Sequence, residues 1–84
     1  MQELNRVKAM LDEVLHLEGR SADWTVETPL LGSVAELDSM AVVQVIGGIE
    51  QIFGVMIEDD EISAEIFATV GALTAFIQEK LAQR

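Results

Sequence analysis

Leu37-Asp38-Ser39-Met40-Ala41-Val42-Val43-Gln44-Val45-Ile46-Gly47-Gly48-Ile49-Glu50-Gln51-Ile52-Phe53-Gly54 is the stretch that decides the fold. Asp38 is a favoured helix N-cap residue, and Gly54 supplies a C-terminal stop. Between them apolar residues recur at three- and four-residue steps over about fifteen positions. That is too long for a typical strand despite the β-branched valines and isoleucines, so the spacing predicts a helix. Its apolar band is wide. Positions 43, 46, 49 and 53 form one stripe and 42, 45, 49 and 52 another, so this helix should be covered on more than one side and lie at the centre of an all-α bundle. Ala41, Gln44, Gly48 and Gln51 are left for the outer face.

Upstream, Leu4, Val7, Met10, Leu11, Val14 and Leu15 make one stripe of a helix from about residue 2 to residue 17, with Gly19 as its stop. From Arg20 to Leu37 the periodicity dissolves around Pro29 and Gly32, a loop long enough to be functional or partly organised, with Trp24 as a packing anchor. Downstream, Glu58-Asp59-Asp60-Glu61 suits the first turn of a short helix through about Glu65, anchored by Ile62 and Phe67. Thr69 then caps a last helix whose buried stripe is Val70, Leu73, Phe76, Ile77 and Leu81. The prediction is one domain, residues 1–84, of three long helices and one short one with a long first loop.

The chain has 84 residues, half of them hydrophobic, and a formal charge of −10. It has no cysteine, which excludes disulfides, thiolate metal sites and a thiol nucleophile of its own. The start has no basic region followed by an apolar stretch, and no apolar run approaches the roughly 20 residues of a bilayer span, so a cytoplasmic protein without a membrane span is expected. All five bases lie toward the ends, at Arg6, Lys8, Arg20, Lys80 and Arg84, and residues 21–79 hold eleven acids and no base. Such a surface repels nucleic acid and favours basic protein patches. His16 is the single histidine and has no companion ligands, so it reads as a surface or loop-packing residue. The acidic run lacks the alternating pattern of a calcium loop. No nucleophile-base pair and no metal cluster is present, so neither an enzyme nor a metal protein is expected.

Asp38-Ser39 therefore carries the chemical interest. A helix N-terminus offers unpaired N–H groups and the positive end of the macrodipole, which would support a phosphodiester on the Ser39 hydroxyl. The Asp38 carboxylate could share a divalent cation with the phosphates of a donor. Read alone, the dipeptide is an ordinary capping pair. Its setting is more specific: Leu31-Gly32, then Leu37-Asp38-Ser39-Met40, then Val43, Ile46, Ile49-Glu50 and Phe53, then Ile57 with the acidic segment, then Thr69-Val70. Over nearly its whole length this pattern resembles the acyl carrier protein family.

The resemblance implies a four-helix bundle in which Ser39 carries 4'-phosphopantetheine, esterified by a phosphopantetheinyl transferase using coenzyme A, with Asp38 assisting. The arm's thiol would hold acyl thioesters, which suits a chain without cysteine. A monomer is expected, serving the transferase and acyl-activating, synthase or acyltransferase enzymes with basic docking patches. The docking residues would be Glu36, Asp38, Met40, Gln44, Glu50, Asp59, Asp60 and Glu61, with Met40 assigned mainly to the core. Two departures point to a specialised carrier rather than a housekeeping fatty-acid one. The outer face of the second helix is nearly neutral, and Ser33-Val34-Ala35-Glu36 lengthens the approach to Asp38. The Gly47-Gly48 pair costs that helix about 1 kcal/mol per glycine relative to alanine, and its presence reads either as room for close approach by a partner or the arm or as tolerated drift. An aminoacyl or peptidyl carrier is the alternative cargo reading. An acidic helical adaptor without a prosthetic group, binding through residues 58–65, is the alternative of another class.

Overall fold

The computed structural model describes residues 2–83, so Met1 and Arg84, the ends of the predicted domain, lie outside it. Three α-helices form: α1 (Gln2–Leu15), α2 (Ser39–Phe53) and α3 (Val70–Gln83). Three short 3-10 turns join them, at Arg20–Asp23, Asp59–Glu61 and Ala64–Phe67. Among the described residues there is no strand, only an isolated bridge between Pro29 and Thr69. Val7, Leu11, Leu30, Val45, Ile49, Phe67, Val70, Leu73 and Ile77 are among the side chains that meet in one core.

α1 ends at Leu15, about two residues before its predicted end. His16 takes the left-handed conformation (φ 56°), which lets the Leu17 N–H donate to Asp12 O (2.9 Å) and the His16 N–H to Glu13 O (3.4 Å). This six-to-one, five-to-two pairing closes the helix and turns Leu17 into the core. The Asp12 carboxylate then accepts from the Gly19 N–H (2.9 Å) and from the Ser21 hydroxyl (2.7 Å) and N–H (3.2 Å). The Ser21 hydroxyl bond first, and the Gly19 N–H after it, hold the Asp12 pKa below its ordinary value.

The middle of the long segment after Gly19 is organised by pairing with residues 67–71, from the last 3-10 turn into the start of α3. The Gly71 N–H donates to Val26 O (2.8 Å), Val70 N–H to Thr28 O (2.9 Å), Leu30 N–H to Ala68 O (3.0 Å) and Leu31 N–H to Phe67 O (3.0 Å). A Cβ at position 71 would lie 2.6 Å from Val26 O, so only glycine admits this approach. Trp24 is half-buried against the core, as an anchor should be.

Thr69 caps α3, its Oγ1 accepting from the Ala72 N–H (3.0 Å), as the sequence predicts. The short helix predicted over 58–65 is instead two 3-10 turns separated by an extended Ser63, a break that lets both Ile62 and Ile66 pack on the core. The first turn is closed by its own acids: the Glu58 N–H donates to Glu61 Oε1 (2.9 Å), and Lys80 of α3 pairs with both Glu61 oxygens (2.8 and 2.9 Å).

That ion pair sets a pH dependence. Lys80, and after it the Glu58 N–H, keep the Glu61 carboxyl below its ordinary 4.5. A carboxyl whose pKa is depressed by folding stabilises the fold above the unfolded value and ceases to do so as pH falls through the folded value. Glu61→Gln is expected to melt below wild type at neutral pH, the gap closing in acid below 4.5. Circular-dichroism melts at the two pH values check it; a gap that is constant with pH would contradict the assignment.

Candidate functional site

α2 buries one row, Ala41, Val45, Ile49 and Phe53, with Val42 and Ile46 half-buried on its flank. This corrects the predicted helix face in five places, one of them Ile52, which the predicted stripe covers and which is 44 % exposed. Ala41 is inside rather than outside, and Gly48 lies against α1, where its Cβ would meet Val14 and Met10. Val43, predicted to be covered, is 69 % exposed, and Met40, assigned to the core, is 74 % exposed. Periodicity fixes the angles between these residues, but α1 and α3 cover a narrower arc than the apolar residues occupy.

Asp38 is the N-cap: its Oδ1 accepts from the Ala41 N–H (2.8 Å) and its carbonyl from the Val42 N–H (3.0 Å). Leu37, buried just before it, fixes the direction from which the chain enters the helix. Ser39 is the first residue of α2 and is exposed. Among the described residues nothing pairs with its hydroxyl, and the Ser39 and Met40 N–H groups have no acceptor. An exposed hydroxyl thus stands on the positive end of a fifteen-residue helix beside two open N–H donors and one carboxylate. This arrangement fits an ester-linked phosphate, because the donors and the macrodipole face the position its oxygens would occupy.

Around Ser39 the predicted docking residues divide. Met40 and Gln44 are exposed beside it and, with Val14, Leu15, His16, Glu36, Asp38 and Ala41, line an open depression of about 300 Å³. His16, which the sequence assigns to the surface or to loop packing, is exposed at the end of α1 and lines the same depression as Glu36 and Asp38. The Glu36 carboxylate is paired with the Arg20 guanidinium, which lowers the Glu36 pKa. Glu50 Oε2 accepts from the Ile57 N–H (2.9 Å), tying the segment after α2 back along the helix. Glu61 is held by Lys80, whereas Asp59 and Asp60 are exposed. Among the described residues no group of three or more His, Asp or Glu could hold a metal ion, and no helix is long and apolar enough to cross a membrane.

The family model described as a phosphopantetheine attachment site matches residues 5–77. None of the curated proteins matches the chain. Among solved structures, the solution NMR structure of a holo acyl carrier protein from Nitrosomonas europaea superimposes with a TM-score of 0.91 at 46 % identity, over 98 % of this chain and 99 % of that one.

Proposed function

The chain belongs to the phosphopantetheine-attachment family and is an acyl carrier protein with a covalently held 4'-phosphopantetheine arm, and from that premise we propose that the arm is esterified to Ser39. The observation that carries this reading is the exposed Ser39 hydroxyl at the N-terminus of α2, next to two N–H groups without acceptors and the capping carboxylate of Asp38. When attached, the arm supplies a terminal thiol that the chain itself lacks. The residues of the chain do the rest. Ser39 would provide the acceptor oxygen, the first turn of α2 would support the phosphate charge, and Asp38, whose Oδ1 caps that turn, would offer its other oxygen to the donor's cation.

Residues 1–84 act as one carrier domain and as a monomer, carrying rather than catalysing, in the cytoplasm. The partners are a phosphopantetheinyl transferase and acyl-activating, synthase or acyltransferase enzymes; basic patches on the latter would meet Asp59 and Asp60, which with the capping Asp38 are the exposed acids of the predicted docking set. A specialised role rather than housekeeping fatty-acid synthesis is supported by the sparse charge on the exposed face of α2, whose one acid, Glu50, is engaged with Ile57.

Intact mass after incubation with coenzyme A, magnesium and a transferase tests the assignment. One arm per chain is expected, and cleavage after Glu36 and Glu50 should isolate it on a fragment in which Ser39 is the sole hydroxyl residue. No arm, or an arm on another fragment, would sink it.

Asp38 has two roles that one pair of variants separates. Asp38→Asn keeps a good capping group and loses the charge, so transfer should fall roughly 10- to 100-fold with little change in melting. Asp38→Ala should lose transfer and about 1 kcal/mol of stability as well. Rates of mass gain and thermal melts check both; normal loading of Asp38→Asn would confine Asp38 to capping.

A further inference from the structure

Glycine is among the least favourable residues in a helix interior, and α2 carries two in succession. The structure gives them different surroundings. A Cβ on Gly48 would lie 3.2 Å from Val14 Cγ2 and 3.6 Å from Met10 Sδ, so Gly48 marks the close approach of α1. A Cβ on Gly47 would meet nothing within 4 Å, and Gly47 is not among the residues with positive φ. Neither packing nor backbone conformation within the chain asks for glycine there.

Gly47 lies on the same side of α2 as Ser39 and Val43, eight and four residues before it, which puts it about 12 Å along the helix from the attachment position. Met40 and Val43 stand exposed between the two, and Gln44 and Gln51 are exposed beside Gly47. The face therefore runs from the acceptor hydroxyl, over two apolar side chains, to a notch floored by bare backbone. The acid on this side, Glu50, directs a carboxylate oxygen to the Ile57 N–H.

We propose that the notch at Gly47 seats an apolar side chain of the transferase that loads Ser39. The proposal rests on Ser39 being the attachment residue. An enzyme that brings coenzyme A to the Ser39 oxygen must cover the adjoining turns of α2, so its contact surface continues over Met40 and Val43. The chemistry it meets there is thioether, branched alkyl, backbone and amide, which matches an apolar knob in an uncharged surround and not a basic patch. A side chain at position 47 would fill the space the knob needs.

Gly47→Ala and Gly47→Gln give the test, because helix propensity and docking pull in opposite directions. Both should melt above wild type, since each replaces glycine in an open helical position. Over the same series kcat/KM for arm transfer should fall, by tenfold or more for Gly47→Gln, and Met40→Ala and Val43→Ala should lower it too. Loading of wild type should change little between low and moderate salt. Wild-type loading of Gly47→Gln would overturn the proposal. So would normal loading followed by impaired acylation, which would give the notch to an acyl-side partner. If wild type accepted no arm at all, the Ser39 assignment would fail first, a result distinct from equal loading of wild type and variant.

Discussion

The Ser39→Ala variant is expected to take no arm from coenzyme A under conditions that load wild type fully, and to melt within about 0.5 kcal/mol of it. The two halves of this prediction have separate causes. The acceptor oxygen is the one group that the reaction cannot replace. Stability is spared because the hydroxyl is exposed and unpaired among the described residues, the cap belongs to Asp38, and alanine is a better helix former than serine. The other serines give the prediction its edge. Ser21 is buried against the Asp12 carboxylate, and Ser33 and Ser63 are exposed but lie in a turn and an extended segment rather than at an α-helix N-terminus. An arm on Ser39→Ala would have to sit on one of these and would end the assignment. Loss of the fold in this variant would mean that the hydroxyl has a structural partner that the geometry does not contain.

Local hydrogen-bonding devices were legible in the sequence, and tertiary coverage was not. Asp38, Gly54 and Thr69 end or begin helices through bonds to residues three or four positions away, so residue type and spacing suffice to place them. By contrast, the pairing of Val26, Thr28, Leu30 and Leu31 with residues 67–71 joins segments some forty positions apart, and nothing in residues 20–37 read alone announces it. The face of α2 failed for a related reason. Val43 and Met40 have the chemistry of core residues, and what leaves them outside is the position of α1 and α3. The proposal of Ser39 as the attachment residue draws on the pattern spread over nearly the whole chain, because the local signal, a capping acid and a hydroxyl before an apolar helix, reads alone as an ordinary cap.

The charges illustrate the same division. Counting acids from the sequence treats each as available to a partner, yet Glu36, Glu50 and Glu61 all hold the chain to itself. The four described bases, gathered toward the two ends of the sequence, work as clamps. Arg6 donates to Ile52 O (3.4 Å) and lies 4.5 Å from the Phe53 ring centroid, fixing the C-terminal end of α2 to α1. Lys8 reaches Ala22 O (3.1 Å), Arg20 reaches Leu17 O (3.0 Å) and Glu36, and Lys80 grips Glu61. Each of these four described bases ties an α-helix or the turn following α1 to a different part of the chain. Partners approaching the middle of the protein therefore meet a surface whose cations face inward contacts, with Asp59, Asp60 and the apolar start of α2 turned outward.

Phe67→Ala should unfold the protein far more readily than any surface change, and its contrast with Met40→Ala tests the corrected face of α2. Phe67 is 2 % exposed and heads the fully buried side chains by volume. Removing its ring should cost about 3–5 kcal/mol through lost burial and the cavity left behind. A chain of this size holds roughly 4–13 kcal/mol in all, so the loss is a large share of what keeps it folded. The melting temperature should fall by roughly 15–30 °C. The effect would reach the loop before Ser39 as well, because Phe67 O and Ala68 O accept the N–H groups of Leu31 and Leu30. Met40→Ala also removes a large apolar side chain, but one that is 74 % exposed, and should stay within about 0.5 kcal/mol of wild type. Denaturant unfolding of both variants decides it. If Met40→Ala cost as much as a core truncation, Met40 would be packed inside, and the apolar surface beside Ser39 would not exist.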